Sequence, residues 1–231
     1  MAEARGQRVA RLMGHGLLGR VQCYIGDIQE GRRNIELSHA LADPVQDAVL
    51  AMKYGQDPIM AGLAGLSWCL WALGYPGHAR QARDQAIERA ELVKHPQTLS
   101  YALAVCLWVG LLERDAEHLE PLLLRLNRLI DEQSFKHWSG FALNAQAFVL
   151  SERGDKQAAR EAAREGRAAL EAAGCAIFSP LFASFRARML LEQGATAEAL
   201  REVEEALATR ACFDKLSTNV LDRPWLSAQS R

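Results

Sequence analysis

Gly14-His15-Gly16-Leu17-Leu18-Gly19 reproduces the glycine spacing of a dinucleotide-binding loop, whose backbone amides cradle a pyrophosphate. That chemistry needs a strand before the glycines, a helix opening on them and an acidic residue ending a second strand. Here the helix-like stretch ARGQRVARLM precedes them and no such acidic residue can be placed, so the glycines read as close helix packing. Arg153-Gly154-Asp155 spells an adhesion tripeptide, yet it falls at a turn of the helical pattern. The six histidines form no HExxH pair and no metal spacing with cysteine. No Gly-x4-Gly-Lys-Ser/Thr loop occurs, and nothing brings a Ser-His-Asp or Cys-His set together. The expectation is a non-catalytic chain without cofactor or metal. The five cysteines, Cys23, Cys69, Cys106, Cys175 and Cys212, are odd in number, far apart and mostly within apolar stretches. They read as buried free thiols in a reducing compartment, which places the chain in the cytoplasm.

The side chains left over are those of a binding surface. Trp68 and Trp71 are three apart and share a helix face. Either they pack in a core or they line a groove, where aromatic rings are favoured anchors. Tyr54, Gln56 and Asp57 sit in the one irregular connection, from Pro44 to Pro58. Asp57 can cap a helix beginning at Pro58 and Gly55 can take a turn. Alternatively the segment contacts a partner, because insertions in repeat arrays gather on one face. Trp138 completes the candidate partner-binding set.

Positioning these residues requires a periodic framework, and the turns supply it. Gly74-Tyr75-Pro76, Arg114-Asp115, Gly154-Asp155 and Gly194-Ala195 recur every forty residues, each interrupting an apolar-periodic stretch. Gly26-Asp27 opens the series forty-eight residues earlier, the surplus being the Pro44–Pro58 segment. Five residues after each turn start come Gly31, Ala79, Leu119, Ala159 and Ala199, small in four cases of five. Small side chains at a fixed place let two helices approach closely. The reading is all-α: a right-handed solenoid of about five tetratricopeptide-like helical hairpins. HEAT or armadillo repeats are the structural alternative. Residues 1–209 form the repeat domain and 210–231 an irregular tail. Asp27 is expected to cap the second helix, and Pro121 to delay or kink the helix after Asp115.

Composition narrows the partners. The net charge is −1, with both signs mixed along the same helix faces. That excludes the basic stripe of a nucleic-acid binder and a polybasic membrane anchor. No run of eighteen apolar residues exists, and the N-terminus lacks a signal-peptide core.

Two stretches go beyond periodicity. LADPVQDAVLAMKYGQDP, ending at Tyr54-Gly55-Gln56-Asp57-Pro58, and WCLWALGYPGHARQA, from Trp68 to Ala82, resemble one bacterial family. It is the C-terminal tetratricopeptide-like region of signalling proteins that carry a class III adenylate/guanylate cyclase domain and an AAA-type ATPase domain. Trp138 in QSFKHW and Ser179-Pro180 in AIFSPLFA fall where that family has similar features. The resemblance spans roughly residues 9–208. It implies a regulatory or sensory arm that holds a protein segment in a concave groove, with the cyclase or ATPase domains as possible partners. No cyclase metal-binding aspartates and no ATPase phosphate loop are present. The tail departs from the family as well, as a truncated array or a divergent cap would. Exposed apolar surface at that end suggests self-association. The rival readings are a remnant of a larger gene and an enzyme with a site within the helical array.

Overall fold

The computed structural model describes residues 2–175 and 178–221. Among the described residues every regular element is helical. The α-helices are α1 (Ala2–Ile25), α2 (Ile28–Ala40), α3 (Leu50–Tyr54), α4 (Pro58–Ala72), α5 (Pro76–Val93), α6 (Pro96–Glu113), α7 (Ala116–Gln133), α8 (Ser139–Glu152), α9 (Lys156–Ala172), α10 (Ser179–Glu192) and α11 (Thr196–Leu221). A 3-10 turn at Lys136–Trp138 leads into α8. The helices pack in neighbouring pairs, α1 with α2, α4 with α5, α6 with α7, α8 with α9 and α10 with α11, and the first helices of successive pairs line up against one another.

Backbone geometry explains the forty-residue register. Each hairpin turns on a residue in the left-handed region: Gly26 (φ 96°), Gly74 (φ 84°), Arg114 (φ 59°), Gly154 (φ 85°) and Gly194 (φ 80°). Arg114 takes the glycine conformation without being glycine, so the register holds there. A second series, invisible as a glycine pattern, turns one pair into the next: Lys94 (φ 54°), Ser134 (φ 57°) and Gly174 (φ 67°), again forty apart.

Helix starts follow their chemistry. Pro58, Pro76 and Pro96 open α4, α5 and α6, where a missing amide hydrogen costs nothing. Asp57, Asp115 and Asp155 accept from the amides of Met60, His118 and Ala158, three residues on. Asp27 stands at the corresponding place before α2 but makes no capping hydrogen bond. Pro121 neither delays nor ends α7, which starts at Ala116. Near a helix start, proline forfeits one hydrogen bond to the carbonyl four residues back, and the Asp115 cap fixes the first turn. The backbone of α11 is helical through Leu221, where the sequence suggested irregular chain from residue 210. Residues 222–231, with Pro224 and Trp225, lie outside the described residues.

Two devices hold the pairs together. In the first, α1 and α2 touch backbone to backbone. A Cβ on Gly19 would stand 2.7 Å from the Gly31 carbonyl oxygen, and one on Gly31 2.5 Å from Cys23 Sγ. The nucleotide-loop spelling is therefore a helix-packing surface inside α1. In the second, an aromatic cluster fills the inner face. Trp108 of α6 stacks on Phe141 of α8 (5.9 Å between centroids, 7° between planes). It also meets Phe178 (4.7 Å) and Phe182 of α10 (6.3 Å). Tyr24 of α1 reaches Trp68 of α4 (6.1 Å), Trp108 (6.5 Å) and Phe178 (5.6 Å). The first pair thus touches the fifth through a ring contact.

Lys94 carries a left-handed backbone while its side chain makes no hydrogen bond or ion pair among the described residues. Lys94→Gly relieves roughly 1–2 kcal/mol of left-handed strain. It returns about 0.4–1 kcal/mol through the freer unfolded chain. We expect a higher urea midpoint, worth about 0.5–1 kcal/mol, with an unchanged slope. No gain from Lys94→Gly, or an equal gain from Lys94→Ala, would contradict this account.

Candidate functional site

A cleft of about 240 Å³ opens between α1 and the α3–α4 segment. Leu12, Met13, Leu17 and Ala61 give it apolar walls, and Tyr54, Gln56 and Arg20 its polar groups. The irregular connection singled out in the sequence therefore forms one rim. Tyr54, at the end of α3, is exposed and Gln56 half-buried.

Arg20 organises the cleft. Its Nη1 donates to Tyr101 Oη (3.1 Å) and to Gln56 Oε1 (3.4 Å), and its Nε to the Gly16 carbonyl (3.3 Å). Its stem lies against Gly65 of α4. Tyr101 in turn meets Trp138 edge to face at 5.7 Å. Burial pushes the neighbouring Tyr24 phenol well above its ordinary range, so it stays protonated. What sets Arg20 apart is charge. Arg8, Arg32, Arg83, Arg89, Arg114, Arg125, Arg160, Arg167 and Arg186, buried or half-buried, each hold a carboxylate. Arg20 is half-buried too and has none among the described residues.

The other candidates separate. Asp57 is wholly enclosed: it binds Arg89 through both oxygens (2.8 and 3.2 Å), caps Met60 (2.7 Å), and its amide donates to Thr98 Oγ1 (3.2 Å). It shapes the rim from within and presents nothing to a partner. Trp138 is interior as well, packed on Tyr101 and Phe141. Trp68 and Trp71 do not act as a pair. Trp68 faces Tyr24, whereas Trp71 lines a second cleft of about 270 Å³ with Leu112, Phe148 and Phe185. Arg114 bridges Glu152 (2.6 Å) and Glu192 (2.7 Å) across its mouth, so the charges there are already matched. A third, open depression between α7, the 3-10 turn and α9 is lined by Ile130, three alanines at the end of α9 and the polar side chains of Asp131, Ser134, Lys136, His137 and Ser139. Arg20 and Tyr101 escaped the sequence reading because each is a single polar residue on an otherwise apolar helix face. Only the fold joins residues eighty-one positions apart.

The cysteines require a correction. Cys23 of α1 and Cys69 of α4, both buried, form a disulfide. Periodic packing brings them together at a place that spacing alone could not reveal. The argument from five free thiols to a reducing compartment loses its premise. Cys106 is a free buried thiol, pushed up to about 12 by burial, and Cys175 is free and half-buried. Among the described residues no three His, Cys, Asp or Glu side chains form a metal-binding group, and no helix is long and apolar enough to cross a membrane. No family model, curated protein or solved structure matches the chain.

Two stability effects follow. Asp57→Ala leaves Arg89 without its carboxylate and α4 without its cap, and should cost about 3–5 kcal/mol in chemical denaturation. A loss below about 1 kcal/mol would show an exposed-type pair instead. His39, hydrogen-bonded to the Ile59 carbonyl (3.3 Å), is held below its ordinary 6.5 chiefly by burial. The unfolded chain then binds the proton more tightly than the folded one. This contribution is complete above about pH 6.5 and is lost as pH falls below it, toward the folded value. Urea midpoints should drop between pH 7.5 and 5.5, and more steeply for the native chain than for His39→Gln. Equal slopes would remove His39 as the cause.

Proposed function

We propose that this chain is a non-catalytic helical-repeat interaction module: a right-handed solenoid of about five tetratricopeptide-like hairpins that binds protein. Its docking face is the Arg20 cleft. Three features support that choice over the centre of the inner surface. The aromatic cluster occupies the inner face, where a groove was expected. The second cleft already has its charges matched by Arg114 with Glu152 and Glu192. The Arg20 cleft combines apolar walls, hydrogen-bonding groups and a guanidinium with no carboxylate among the described residues, and this last observation carries the reading. A half-buried cation in such a setting gains most from an acidic group brought in by a partner. On the resemblance of the Tyr54–Pro58 and Trp68–Ala82 stretches, the module serves as the regulatory arm of a nucleotide cyclase or ATPase signalling system.

The test is a selection of displayed peptides on the full chain, followed by affinity measurement on two variants. Leu17→Asp should weaken the selected peptides at least roughly tenfold, and Trp71→Ala should leave them unchanged. The reverse pattern would move the docking face to the second cleft and overturn the assignment.

A further inference from the structure

Two apolar ridges lie on the first and the last of the described helices. On α1, Leu17, Val21 and Ile25 follow one another at four-residue spacing, and Leu17 is also a wall of the Arg20 cleft. On α11, Leu200, Val203 and Leu207 repeat at three and four. All six are between 41% and 70% exposed, although large apolar side chains in such rows ordinarily cover something. Each ridge runs about 10–12 Å at helical rise, so the two match in length.

Their charges match as well. Arg20 lies one turn into the first ridge and has no carboxylate partner among the described residues. Glu204 lies beside Val203 in the second and is exposed. The other acids of α11 before residue 209 are engaged: Glu198 with Arg160, Glu202 with Arg186 and Glu205 with Arg167. Glu204 has no cationic partner among the described residues.

We infer that the occupant of the Arg20 cleft is a second copy of this chain, docked head to tail, with the α11 ridge of one copy on the α1 ridge of the next and Glu204 directed at Arg20. This rests on the cleft being the docking face, and it names the partner. Stacked helical pairs cover their apolar faces with the following pair, and end-to-end contact continues the same packing across molecules. Because the two surfaces differ, the contact is heterologous and propagates into rings or filaments instead of stopping at a symmetric dimer.

Sedimentation velocity on the full chain tests this. Mass should rise with concentration and pass beyond the dimer. Leu17→Asp and Leu207→Asp should each be monomeric where the native chain associates. Both positions are exposed, and far-ultraviolet circular dichroism checks that the helices persist. An equimolar mixture of the two variants retains one intact surface of each kind and should give one-to-one dimers and nothing larger. Glu204→Arg should weaken association roughly tenfold. Monomers at every soluble concentration would overturn the inference, as would association by the native chain with no dimer from the mixed variants, since that outcome is a symmetric contact. If the chain is monomeric while Leu17→Asp still releases displayed peptides, the second-copy assignment falls and the docking face stands. If Leu17→Asp changes neither, both fall.

Discussion

The contact of Tyr24 with Trp108 and Phe178 is the constraint on which the rest of the structure depends. Helical pairs that touch only their neighbours form an open array with a free concave face. Here Tyr24 of α1, Phe141 of α8, and Phe178 and Phe182 at the start of α10 meet Trp108 of α6, and Trp68 of α4 joins them through Tyr24. Each aromatic pair adds roughly 0.5–1.5 kcal/mol beyond the area it buries. The cluster joins pairs that are not neighbours in sequence. Both smaller clefts lie at its margins, one walled by Arg20 and one by Trp71.

Charge follows the same architecture. Ion pairs within a helix, such as Arg32–Glu36 and Arg188–Glu192, are exposed and contribute little. Those that matter for register run between successive pairs: Arg80–Glu113, Arg153–Glu120, Arg114–Glu152 and Arg125–Glu91. They are spaced by nearly one repeat, so a slip of one helix along its neighbour would break several together. Arg186 does this from the interior, joining Glu202 of α11 to Asn144 of α8. Against that background a half-buried arginine without an acid stands out.

The all-helical class and the hairpin turns could be read from the sequence because glycine and aspartate leave local signatures. Gly74, Gly154 and Gly194 mark the turns, and Asp57 and Asp155 mark helix starts. Lys94 and Ser134 leave no such mark, since neither residue type announces the left-handed conformation it adopts at its helix end. The Cys23–Cys69 pairing, the separation of Trp68 from Trp71 and the Arg20–Tyr101 hydrogen bond depend on how far successive pairs rotate. No local pattern encodes that rotation. Asp57 illustrates the limit well: the same motif that drew attention as a contact residue is explained by a cap and a buried partner.

The disulfide between α1 and α4 gives the two ends of the array different fates. Terminal helices, covered on fewer sides, open locally more readily than central ones. Cys23–Cys69 ties the first pair covalently to the second, and the chain between them cannot peel away without dragging α4 with it. The last pair has no such tether among the described residues. Local opening at α11 can therefore proceed without straining this link, whereas opening at α1 and α2 leaves Cys23 held to α4.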